Sequence, residues 1–77
     1  MNIHVKQSPC WEIATLIWFD HTSGIGFVAR DGKPDVLITA QRLRDGNIDD
    51  LERGDLVAVK AAPDYKGYVA VEVRYPI

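Results

Sequence analysis

Ile25-Gly-Phe-Val-Ala-Arg30, then Asp31-Gly-Lys-Pro34, then Asp35-Val-Leu-Ile-Thr-Ala40 form the stretch on which the fold turns. Two short runs of β-branched and aromatic residues are joined by Asp-Gly, a pair whose second residue tolerates the positive φ that tight hairpins need. Pro34 can open the next strand but not sit deep inside it. Working outward, Glu12-Ile-Ala-Thr-Leu-Ile-Trp-Phe19 reads as a preceding strand, and Asp20-His-Thr-Ser-Gly24 as the turn after it. Beyond Ala40 the pattern changes. From Gln41 to Gly54 the apolar residues thin to Leu43, Ile48 and Leu51 and the charges crowd. That segment reads as a long connection holding one helical turn. Asp55-Leu-Val-Ala-Val-Lys-Ala-Ala62 and Gly67-Tyr-Val-Ala-Val-Glu-Val-Arg-Tyr75 then alternate with period two across a Pro63–Gly67 turn.

Five strands are therefore expected, near 12–19, 24–30, 35–40, 55–62 and 67–75, with no long helix. A chain this short must close them, because open edges invite aggregation. The pattern predicts an all-β, five-stranded antiparallel barrel of the OB (Greek-key) type, with an SH3-like barrel as its rival. Leu16, Val28, Val36, Ile38, Ala40, Val57, Val59 and Val73 are the expected inner face. Residues 1–11 stand apart as an arm or an added edge strand, and 12–77 form the domain.

The 77 residues allow one small domain, which buries only about two-thirds of its unfolded surface. Hydrophobic residues at 47% and charged residues at 26% suit a globular chain. No apolar run reaches membrane-spanning length and the first ten residues lack a signal-peptide core, so a cytoplasmic protein is expected. Cys10 is the one cysteine and is expected to be a small, at least half-buried group. His4 and His21 lack metal-ligand spacing, so no metal or other cofactor is expected. A net charge of −2 argues against strong attraction to duplex DNA. No Ser–His–Asp order, framed carboxylate pair or phosphate loop is present, so the expectation is a binding module and not an enzyme.

Ile17-Trp-Phe-Asp20, Ser23-Gly-Ile-Gly-Phe-Val28 and Asp35-Val-Leu-Ile-Thr39 resemble the cold-shock domain family in order, spacing and turn positions. That family carries Lys-Trp-Phe-Asn, then Lys-Gly-Phe-Gly-Phe-Ile, then Val-Phe-Val-His-Phe. Leu51-Glu-Arg-Gly-Asp-Leu-Val57 and Lys66-Gly67 resemble its later segments, so the likeness runs from Glu12 to Arg74. The resemblance implies an OB barrel that binds single-stranded RNA or DNA, as an RNA chaperone or regulator. Aromatic rings on the first three strands would stack on bases, and basic residues would meet phosphates.

Carried over position by position, the implied contacts are Trp18, Phe19, Ile25, Phe27, Leu37, Thr39 and Lys66, with Arg30 beside them. Trp18, Phe19 and Phe27 keep family rings. Ile25, Leu37 and Ala40 stand where the family has Phe, Thr39 where it has His, and Ile17 and Ser23 where it has Lys. At about 1 kcal/mol for each of four lost rings or imidazoles, affinity falls by about a thousandfold. Binding is thus expected to be micromolar or weaker, with Arg30, Lys33, Arg42 and Arg44 as compensating cations. The resemblance also places Ile25 and Phe27 outward and Val28 inward. The alternative reading is a protein-interaction module, forming a homodimer or meeting another protein through an apolar patch on the same face.

Overall fold

The computed structural model describes residues 10–76; the expectation for residues 1–9 lies outside them. Strands β1 (Trp11–Asp20), β2 (Ile25–Arg30) and β3 (Lys33–Thr39) are followed by a short helix α1 (Ala40–Asp45). Strands β4 (Leu56–Asp64) and β5 (Gly67–Arg74) complete the chain. The strands close into a barrel in the order β1-β2-β3-β5-β4. This is the expected OB-type architecture, with one refinement: β3 and β5 run parallel, meeting at Val36↔Tyr68 and Leu37↔Val69, while the other pairings are antiparallel.

The interior follows from alternation. Val28, Val36, Ile38, Val57 and Val59 are fully buried, and Ala14, Leu16, Ala70 and Val73 join them. Each large aliphatic side chain among them contributes about 1.5–3 kcal/mol by leaving water. Leu43 from α1 and Ile48 after it complete the core cluster.

Two expectations are corrected at the ends of β3. The strand begins at Lys33, ahead of Pro34, where β3 pairs with β2 alone and a missing N–H is tolerated. Ala40 is not on the inner face of β3; it opens the helix, because Thr39 caps it. The Thr39 Oγ1 accepts the Arg42 backbone N–H at 3.3 Å. Gly46 ends the helix against β5, where its α-carbon lies so close to the Val73 carbonyl that a side chain has no room. Near the start of the chain, Trp11 belongs to β1, opposite Lys60 of β4. Cys10 is exposed and not half-buried, since it precedes the first paired residue. No helix among the described residues is long and apolar enough to cross a membrane.

Candidate functional site

In β1, Ala14 and Leu16 point inward and strict period two would send Trp18 inward too. The ladder between β1 and β2 shifts register between Leu16 and Trp18, so Ile17 is an extra residue. A bulge of this kind re-aims the side chains after it. Trp18 turns out to solvent, 47% exposed, and Phe19 turns in against the core. The ring of Phe19 crosses Gly26 of β2: a Cβ there would sit 2.6 Å from Phe19 Cδ1.

Trp18 is paired with Phe27, and Phe27 with Leu37. Three apolar side chains therefore lie side by side across β1, β2 and β3 on the outer face. The Trp18 and Phe27 rings are 5.7 Å apart and tilted by 58°. Ile25, opposite Thr39, occupies the next row. Ile25 is exposed, while Phe27, Leu37 and Thr39 are half-buried. Beside this row lies a shallow hollow of about 270 Å³, lined by Phe27, Leu37, Tyr68, Lys66, Asp35 and Asp64. Lys66 is its cation and the two aspartates its anions.

The structure thus brings together Trp18, Phe27, Leu37 and Lys66, with Ile25 and Thr39 adjoining. It sets the other two expected contacts, Phe19 and Arg30, apart. Phe19 makes an edge contact with His21, ring centroids 5.1 Å apart, and lines a different hollow with Ala40, Leu43 and Leu51. Arg30 is buried, donating to the Pro34 carbonyl from Nε (3.1 Å) and Nη2 (2.9 Å) and pairing with Glu12 at 3.4 Å. Its guanidinium also lies 4.7 Å from the centre of the Tyr68 ring. Those contacts occupy it as a strut of the barrel.

The other expected cations are also placed elsewhere. Lys33 pairs with Glu12 at 3.2 Å, Arg44 donates to Gln41, and Arg42 sits on α1 beside a hollow shared with Glu72 and Arg74. The Thr39 hydroxyl is engaged in capping α1. Two aromatic residues outside the expected set stand out. The Trp11 ring has the Arg74 guanidinium 3.9 Å and the Lys60 ammonium 5.0 Å from its centre, on the β1–β4–β5 side. Tyr68 reaches the hollow through the parallel β3–β5 pairing, a non-local contact that alternation along one strand does not reveal.

Asp20, paired opposite Ile25, organises the turn at the end of the row. Its carboxylate accepts the Ser23 hydroxyl at 2.9 Å and the Thr22 N–H at 3.1 Å. Those bonds, the hydroxyl foremost, hold its pKa below the ordinary carboxylate value. The same turn places Gly24 at φ +73°, where glycine is unstrained.

No family model matches the chain, and no curated protein is found to be similar to it.

Proposed function

We propose that the outer face of β1–β3 binds single-stranded RNA or DNA. Bases stack on Trp18 and Phe27, Leu37 extends the apolar surface, and Lys66 meets a phosphate. The observation that carries this reading is the cross-strand row Trp18–Phe27–Leu37, two rings and an aliphatic side chain on one outer face of an OB-type barrel. Both faces of a base are apolar, so such a row binds unpaired bases with little regard to sequence. The likeness of residues 12–74 to the cold-shock domain supports the same reading, and with it a cytoplasmic RNA chaperone or regulator.

The exposed flank carries acids as well as Lys66: Asp20 beside Ile25, and Asp35 and Asp64 in the hollow. Stacking therefore supplies most of the affinity and phosphate contact little, which puts binding in the micromolar range or weaker. The test is a fluorescence titration with short pyrimidine oligonucleotides in a Trp11→Phe background, which leaves Trp18 as the reporter. The expected result is quenching of Trp18 on binding and a loss of about 1–3 kcal/mol in Phe27→Ala with the fold intact. Unchanged binding in Phe27→Ala overturns the assignment.

A further inference from the structure

Tyr65 sits at the tip of the β4–β5 hairpin and is 91% exposed, the most exposed large apolar side chain among the described residues. An aromatic ring so fully in water gains nothing from the fold. Its position is nevertheless defined. The Asp64 carboxylate accepts the Lys66 N–H at 2.8 Å and the Gly67 N–H at 3.0 Å, which pins the turn around it. Gly67, at φ +152°, takes a conformation that L side chains rarely adopt.

Lys66 links this ring to the β1–β3 face. Its ammonium lies 5.6 Å from the centre of the Tyr65 ring, and the same side chain lines the hollow beside Phe27 and Leu37. A strand leaving Phe27 across that hollow meets Lys66 and then Tyr65. We propose that Tyr65 is a further stacking position, which lengthens the single-strand site beyond β1–β3 onto the β4–β5 hairpin. This extension rests on the reading of β1–β3 as a single-strand-binding face. The hairpin supplies a ring on a face where Ile25 and Leu37 offer only aliphatic contact.

The test is a length series of thymidine oligonucleotides, from the dimer to the octamer, titrated against the wild type, Tyr65→Ala, Tyr65→Phe and Phe27→Ala. Tyr65→Ala is expected to weaken long strands by about fivefold or more and to leave the shortest binding strands unchanged. Tyr65→Phe is expected to match the wild type, because stacking does not need the hydroxyl. Because the ring is exposed, neither change disturbs the fold. If Phe27→Ala weakens binding but Tyr65→Ala equals the wild type at every length, the extension is wrong and the β1–β3 site stands. An equal loss in Tyr65→Ala at every length also overturns the extension. If the wild type binds no strand of any length, the β1–β3 reading falls and the extension with it.

Discussion

Ile17 is the residue on which the outer Trp18–Phe27–Leu37 row depends, because its insertion in the β1 bulge turns Trp18 outward and Phe19 inward. Strict alternation cannot place Leu16 inside and Trp18 outside, since the two are separated by an even step. The outward position of Trp18 was legible only through the likeness to a known family; the bulge that produces it has no signature in composition. Arg30 shows the opposite case. A basic residue at the end of an exposed strand reads as a phosphate contact, yet the carbonyl of Pro34 and the carboxylate of Glu12 hold it inside. Arg30→Ala should therefore lower stability by about 2 kcal/mol or more, through lost charged hydrogen bonds and lost packing. Oligonucleotide affinity below the melting range should stay unchanged. A fall in affinity without a fall in melting temperature would contradict the structural role.

Asp20 makes the stability of the fold depend on pH. Its folded pKa is lowered, so its contribution is present above the ordinary carboxylate range and is lost as pH falls through the depressed folded value. The melting-temperature difference between wild type and Asp20→Asn should be largest near neutrality and shrink on acidification. A difference independent of pH would contradict the turn chemistry described.

Among the elements, the short helix is the least legible from sequence, and it is held at both ends, by the Thr39 cap and by Gly46 against β5. One helical turn after β3 was readable from the sparse apolar residues, but its start was not, because Thr39 suits a strand and a cap equally. The cap decides, and it moves Ala40 from the sheet to the helix. At the other end Gly46 brings the chain against the Val73 carbonyl of β5, and Asn47 turns in the left-handed region at φ 58°. Ile48 then drops into the core. Gly46→Ala forces backbone from backbone, with no flexible side chain to give way. A loss of about 1–3 kcal/mol is expected in denaturant unfolding. An unchanged midpoint would mean that α1 does not dock there.

For the whole molecule, alternation and turn chemistry were enough to reach five strands, and Val28, Val36, Ile38, Val57, Val59 and Val73 all proved to be inside. The parallel β3–β5 seam was not legible, because it joins segments distant in sequence. That seam brings Tyr68 and Lys66 next to Phe27 and Leu37. Lys66 is the single cation lining the hollow, so the proposed single-strand binding would neutralise about one phosphate. Affinity should then fall only about fivefold per tenfold rise in salt, the slope of about −0.7 for one contact on a single strand. A slope several times steeper would show that cations elsewhere on the barrel carry the binding.

If the outer row of β1–β3 stacks on bases, as proposed, restoring rings to that row tightens binding. Ile25 and Leu37 both lie on the outer face, in register with Thr39 and Phe27, so Ile25→Phe with Leu37→Phe adds two rings without entering the core. Oligonucleotide titration and sedimentation on the double variant and the wild type form one measurement. Binding is expected to be tighter by about thirtyfold to a thousandfold, at about 1–2 kcal/mol per added ring, with unchanged sedimentation. Unchanged oligonucleotide binding, with a wild-type dimer falling apart to monomers in the variant, would contradict base stacking and assign the face to protein.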